Sequence, residues 1–234
     1  MKAEVVGSSP IYHPQKKSSI IQVMSNQKKL WNNAHLNGNI QRYSDNPTDF
    51  ATSTISLLKP HSKVLELGCG VGNDSVAFAK AGHKITATDF SEIAINKNKK
   101  HFKDTPNLKF KLLDISLLQT NTNDKDFDAI YARLSLHYFK DKTTKKIFDN
   151  IHKILKTDGL LFFMCKSTKD DLYGKGNKIE NDMFENKNHI RHFFSAKYVK
   201  SCLSNKFKII KLEEKTDTLY GKNSSFIEVV AQKV

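Results

Sequence analysis

The sequence predicts an α/β protein, a doubly wound and mostly parallel seven-stranded sheet with an antiparallel C-terminal hairpin. Three observations carry that prediction. Short apolar runs alternate with helical segments from Lys63 to Cys165, the pattern of parallel strands covered on both faces. A glycine-rich turn joins the first run to its helix, and the last two apolar runs, Phe207 to Leu212 and Phe226 to Ala231, have no helix between them.

In chain order, residues 1–22 hold Gly7-Ser8-Ser9-Pro10, Pro14 and Lys16-Lys17-Ser18-Ser19, a polar segment with little periodicity that is expected to be a mobile leader. Residues 23–234 are expected to form a single domain, since a chain of 234 residues suits one well-buried core. Gln27 to Asn37 predicts a helix carrying Trp31. A loop with Arg42 and Tyr43 follows, then a helix from Thr48 to Leu58 that stops before Pro60.

The strand Lys63–Leu67, the helix Asp74–Ala81 and the strand Lys84–Thr88 make a βαβ unit. A lysine-rich helix (Glu92–Phe102), strands at Leu108–Leu113 and Phe127–Ala132, a helix at Thr143–Leu155 and a strand at Gly159–Cys165 continue the alternation. Residues 166–195 then break it. That polar stretch is too long for an ordinary connection and predicts a lid or substrate-side insertion. A helix, Ala196–Leu203, precedes the closing strands.

Composition narrows the setting. The longest apolar run, Leu160 to Cys165, falls far short of the roughly 20 residues that cross a bilayer, and no apolar block near the start resembles a secretory signal. Cys69, Cys165 and Cys202 show neither pairing nor metal-ligand spacing, so a cytoplasmic protein with reduced thiols, without a metal and without a membrane partner, is expected. The formal charge is +14. Arginine occurs only at Arg42, Arg133 and Arg191, so the charge is lysine spread along the chain. Both a solvated surface and an anion-binding face are compatible with it, and nucleic-acid readers favour arginine forks.

The functional signal is the segment Val64 to Asp74, a buried strand with an acid near its end and three alternating glycines that open a helix. A dinucleotide site would place its third glycine one position later. Glu66-x-Gly68-x-Gly70-x-Gly72 resembles instead the signature of class I S-adenosylmethionine-dependent methyltransferases, a Rossmann-like family, and the elements from Lys63 to Cys165 follow that family's order. The resemblance implies S-adenosylmethionine as cofactor. The turn Gly68-Cys69-Gly70 with Gly72 would pack against its amino-acid portion, with Glu66 near the ammonium and Asp89 on the ribose hydroxyls. Phe90 would flank the adenine, Asp114 and Ile115 would meet its amino edge, and Arg133 would meet the cofactor carboxylate or an anionic acceptor, or else pair with a surface acid. Singly, an acid after a strand reads as a turn or cap residue; the ordered set points to a ligand.

His137 and Tyr138, after the fourth strand, are the candidate catalytic pair, His137 as general base. Substrate contacts are expected from Trp31, Arg42 and Tyr43 before the core, and from Tyr173, Arg191, His192 and Phe194 in the insertion, with core packing the competing role for Trp31 and Phe194. The glycine turn, short N-terminal helix and terminal hairpin are similar to small-molecule enzymes of the thiopurine and tellurite-resistance type, which implies a small-molecule acceptor. Methylation of RNA or protein and a cofactor-binding protein without turnover are the alternatives. Against the first, Ala132-Arg133-Leu134-Ser135 stands where amino-methylating enzymes of nucleic acids carry an Asp-Pro-Pro-Tyr-like tetrapeptide.

Overall fold

The computed structural model describes residues 27–37, 43–44, 46–118, 127–219 and 221–234. The expected leader and Arg42 lie outside the described residues. Helix α1 covers residues 27–36. The further helices are α2 (Asp49–Leu57), α3 (Asn73–Lys80), α4 (Glu92–His101), α5 (Asp141–Ile154) and α6 (Ala196–Leu203). The strands of the main sheet are β1 (Lys63–Leu67), β2 (Lys84–Asp89), β3 (Leu108–Leu112), β4 (Phe127–Arg133) and β5 (Leu155–Lys166). Three short strands follow, β6 (Asn177–Glu180), β7 (Met183–Asn186) and β8 (His189–His192), before β9 (Phe207–Leu219) and β10 (Lys222–Lys233) return to the main sheet.

The main sheet is a seven-stranded α/β sheet in the order β3-β2-β1-β4-β5-β10-β9. Its first five strands pair in parallel, and β10 runs antiparallel to both β5 and β9. Winding goes outward from β1 in both directions, so neighbouring residues of one strand serve opposite cores. Val64, Tyr131 and Phe162 pack with Phe50, Phe78 and Phe110 on one face, whereas Leu65, Ile130 and Phe163 pack with Phe148, Ile151 and Val199 on the other. This period-two division of nearly continuous apolar strands is the mark of a sheet buried on both sides.

Local chemistry sets the helix starts. The Thr48 hydroxyl accepts the Ala51 amide to cap α2, Ser91 caps α4 through the Ala94 amide, and Ser195 caps α6 through the Tyr198 amide; each satisfies a first-turn N–H that the helix cannot. The reversal between β1 and α3 needs three left-handed glycines, Gly68 (φ +84°), Gly70 (φ +54°) and Gly72 (φ +81°), a region costly for residues with a Cβ.

The structure differs from the expected boundaries mainly after residue 154. β5 begins at Leu155, immediately after α5, and β9 and β10 run several residues past the apolar runs that announced them. The stretch 166–195 carries the antiparallel sheet β6-β7-β8. Its strands have four residues each, too short for an alternation to register, and its β7–β8 turn uses Lys187 and Asn188 at φ +51° and +64°, the paired left-handed geometry of a tight hairpin turn. Asp170 ties the stretch to the main sheet. Its buried carboxylate takes Lys166 Nζ at 2.6 Å and the Ser225 amide at 3.0 Å.

Candidate active site

Strand order reverses direction at β1 and β4, the switch point where open α/β sheets hold ligands at the carboxyl ends of their strands. A cavity of about 1300 Å³ opens there. Its floor is the β1–α3 turn with Glu66, Gly68, Cys69 and Gly70. Its sides are Asp89 and Phe90 after β2, Asp114 and Ile115 after β3, and Arg133 to Ser135 after β4. Its roof comes from α1, through residues such as Trp31 and His35, and from the small sheet, through Met183, Glu185 and His189.

The floor is stitched together by backbone groups. The amides of Gly68 and Cys69 both donate to the Thr88 carbonyl at 2.8 Å, and the Thr88 hydroxyl returns a bond to the Glu66 carbonyl at 2.6 Å. A Cβ on Gly68 would stand 2.5 Å from Ser135 Cβ, and one on Gly72 would meet the Phe110 ring at 3.2 Å. Gly70 has nothing within 4 Å of that position, so its missing side chain leaves open space over the turn rather than room for a protein neighbour. Asp89 shapes the same turn. One carboxylate oxygen accepts the Gly70 amide at 3.0 Å and the other the Ser91 amide at 2.9 Å, which leaves each oxygen a further lone pair.

Glu66 is only 4% exposed, and its pKa is pushed up to about 8, first by burial and then by the negative charge of Asp74, with the Ser75 hydroxyl bond and Arg133 pulling the other way. A buried carboxyl on a cavity wall, short of positive charge, suits a cationic ligand group. Asp89 is likewise raised by burial, opposed by its amide bonds. Asp114 caps the short turn after β3, accepting the Ser116 amide at 2.9 Å and hydroxyl at 2.7 Å, while also lining the cavity. The cap and cavity roles coexist.

Of the remaining candidates, the structure brings Trp31 and Tyr138 to the cavity, their rings edge to face with centroids 5.7 Å apart. It does not bring His137 there. That ring is 1% exposed, its Nδ1 accepts the Lys166 amide at 3.3 Å, and burial followed by the charge of Arg191 holds its pKa well below the usual value. Sequence position placed His137 at the right strand end, but the turn directs it under the small sheet and Tyr138 outward. Tyr43 stacks on His101 at 3.9 Å and bonds Asn98. Tyr173 packs on Phe184 and Phe193 and donates to Asp182. His192 is buried with Nδ1 at 3.3 Å from the Phe139 carbonyl, Phe194 belongs to the core beside β5, and Arg191 is absent from the cavity wall.

Sequence reasoning missed Asp74, His35 and His189, all cavity residues. Asp74 is a hub, accepting the Thr48 amide and hydroxyl and the Tyr131 hydroxyl at 2.8–3.0 Å. An acid in the first turn of α3 reads as an ordinary helix start, and only tertiary contact gives it more. The roof is pinned at both ends. Ser91 donates to Asn32 at 2.6 Å and Lys97 to the His35 carbonyl at 2.6 Å; at the other end Gln27 donates to the Asn188 carbonyl at 2.5 Å.

Residues 64–159 match the family model of a methyltransferase domain. The sheet order and the glycine turn agree with that match, and the region is similar in fold to S-adenosylmethionine-dependent methyltransferases. Phosphoethanolamine N-methyltransferase 1 of Arabidopsis thaliana is 30% identical over 127 residues, 52% of this chain and 25% of that protein. The chain thus spans only a fifth to a quarter of the length of the curated relatives it first matches.

Two solved structures share the fold. The 1,6-didemethyltoxoflavin-N1-methyltransferase of Burkholderia thailandensis, with its toxoflavin precursor and S-adenosylhomocysteine bound, has a TM-score of 0.70 at 16% identity and covers 97% of this chain and 93% of that one. A SAM-dependent methyltransferase of Methanosarcina mazei has a TM-score of 0.67 at 20% identity, covering 78% and 97%.

The donor set fits the cofactor. Glu66 offers a carboxylate to an ammonium, Asp89 offers two oxygens to a diol, Phe90 and Ile115 offer apolar walls, and the space over Gly70 admits a ligand backbone.

Proposed function

We propose that this protein transfers a methyl group from S-adenosylmethionine to a small-molecule acceptor. The observation that carries the reading is the roofed cavity. One cavity is lined both by the Glu66, Asp89 and Asp114 set and by Trp31, Tyr138, Phe139 and His189, and its volume suits a compact acceptor beside the cofactor. The bound molecules of the Burkholderia relative and the phosphoethanolamine relatives support the same choice.

When bound, the cofactor supplies an activated methyl on a sulfonium. The chain's part is to bind and align. Glu66, ionised, would hold the ammonium; Asp89 would accept bonds from the ribose hydroxyls; Phe90, Asp114 and Ile115 would seat the adenine; Arg133, also on the cavity wall, would meet the cofactor carboxylate. Asp89 also fixes the Gly70 amide, so the acid and the turn are positioned as one unit. Trp31, Tyr138 and the α1 roof exclude water and orient the acceptor lone pair toward the methyl carbon. Orientation of that kind accounts for as much as roughly 7 to 11 kcal/mol in favourable cases. The insertion 166–195 acts as the substrate-side wall through Met183, Glu185 and His189.

Trp31, the sole tryptophan, gives a direct test. Titration with S-adenosylhomocysteine followed by small amine, phenol and thiol acceptors should change its fluorescence in two saturable steps, and with methyl-labelled S-adenosylmethionine in place of the homocysteine form the label should appear in the acceptor that gives the second. Failure of the first step refutes the cofactor site. A first step with no small acceptor methylated, but with methyl transfer to RNA or protein, refutes the small-molecule assignment.

A further inference from the structure

We infer that the side of the protein formed by α4, β3 and the turn after it docks on an anionic lipid surface. Residues 92–117, which span these elements, carry Lys97, Lys99, Lys100, Lys103, Lys109 and Lys111 against Glu92, Asp104 and Asp114, and along the edge strand β3 the exposed Lys109 and Lys111 alternate with the buried Phe110. Asp104 stands 4.0 Å from Lys103, both well exposed. Lys97 is held by the His35 carbonyl. Among the described residues Lys99, Lys100, Lys109 and Lys111 have no carboxylate partner, whereas on the C-terminal hairpin Lys211 and Lys215 are tied to Glu213, and Lys215 also to Glu228.

Exposed apolar side chains lie along the same sheet edge and on the segments beside it. Leu112 at the end of β3 is 52% exposed, Leu117 in the following turn 66%, and Leu36 at the end of α1 56%. Tyr43 adds a fourth, so half of the eight exposed large hydrophobics among the described residues lie here. Lysines as point charges with aliphatic side chains among them match an anionic bilayer, where each cation gains from the surface potential and the leucines enter the interfacial region. A nucleic acid is the poorer occupant. The described face has no guanidinium for phosphate or guanine, and its aromatic pair, Tyr43 and His101, is already stacked on itself at 3.9 Å rather than open to a base. β3 is the outer strand of the sheet, so nothing in the main sheet covers this side. Leu36 and Leu117 lie within two residues of His35 and Ile115 on the cavity wall, which sets the lipid surface beside the cavity rim. This departs from the expectation, drawn from sequence, of no membrane partner.

Vesicle co-sedimentation of the full chain tests the inference without any methyl acceptor. Vesicles of two parts phosphatidylcholine to one part phosphatidylserine should bind the protein at about 0.1 M salt, with affinity falling as salt rises, and pure phosphatidylcholine should not. Neutralising Lys99, Lys100, Lys109 and Lys111 to Gln together should weaken binding by several hundredfold, at about fivefold per lysine. A charge-matched variant with Lys197, Lys200, Lys208 and Lys222 changed to Gln should cost no more than a few-fold. Leu112→Ser with Leu117→Ser should weaken binding without altering its salt dependence. All these residues are surface positions, and circular dichroism should show unchanged melting. Absent binding to the anionic vesicles, or equal losses in the two lysine variants, overturns the inference. So does tRNA binding that is abolished by the first set while vesicles are ignored.

Discussion

Cofactor binding should release a proton, and the proton should come from Glu66. With its pKa pushed up to about 8, about nine in ten of these side chains are protonated at pH 7. An ammonium group placed against the carboxyl stabilises the ionised form and returns the pKa toward the ordinary carboxylate range. Binding at pH 7 then releases about 0.9 proton from Glu66. The cofactor α-amino group, with an ordinary pKa of roughly 7.7 to 8.0, takes up about 0.1, for a net release near 0.8. Because only the ionised carboxyl binds well, apparent affinity should fall about ninefold from pH 7 to pH 6. The assay is calorimetric titration with S-adenosylhomocysteine at pH 7 in two buffers of different ionisation enthalpy, whose difference in apparent heat gives the proton count. Glu66→Gln should abolish the release and flatten the dependence on pH. Net exchange near zero in the wild type, or an unchanged release in the variant, would refute the pairing of Glu66 with the ammonium.

The free protein's stability should carry the same signature. Glu66 is raised above its unfolded pKa, so its contribution is fully present below about pH 4.5 and is lost as pH rises through about 8; wild-type Tm should fall relative to Glu66→Gln across that window. Asp89→Ala should weaken S-adenosylhomocysteine binding at least 100-fold, since two charge-assisted bonds of about 1.5 to 3 kcal/mol each are removed, while circular dichroism stays native. Gly68→Ala and Gly70→Ala should separate stability from binding. The first drives a Cβ to 2.5 Å from Ser135 Cβ and should lower stability by about 1 to 3 kcal/mol in urea unfolding. The second should fold with only the cost of about 1 kcal/mol of a left-handed Cβ but lose cofactor affinity, because its Cβ enters open cavity. His137→Ala should cost about 2 to 4 kcal/mol of stability through the void and the unpartnered Lys166 amide, and the pH profile of methyl transfer should keep its shape. A lost acidic limb would restore His137 as the base.

The parallel half of the fold was legible because it is written in apolar runs that each serve two cores; Val64 and Leu65, or Phe162 and Phe163, must both be buried, and burial shows in sequence. The strand-end lining of the cavity was legible for a related reason. Residues at strand ends inherit their location from the strand, which brought Glu66, Asp89, Asp114 and Arg133 to one cavity. The acceptor side followed no such rule. Whether His137 or Tyr138 faces the cavity depends on a turn of three residues, and the four-residue strands β6, β7 and β8 leave no periodic trace. His189 and Asp74 acquire their roles from neighbours more than 50 residues away along the chain, Trp31 for the one and Tyr131 for the other, which no local window contains.

Ser91 gives these separate parts a common fate. Its amide fixes one oxygen of Asp89, its hydroxyl accepts the first-turn Ala94 amide of α4, and the same hydroxyl donates to Asn32 in the roof. Asp89, the start of α4 and the roof helix therefore share a single small side chain, and a shift of one is passed to the others. A redesign that widens the roof for a bulkier acceptor by cutting the Asn32 tie would disturb the geometry that receives the methyl donor, so the breadth of acceptors this scaffold tolerates is limited from the donor side.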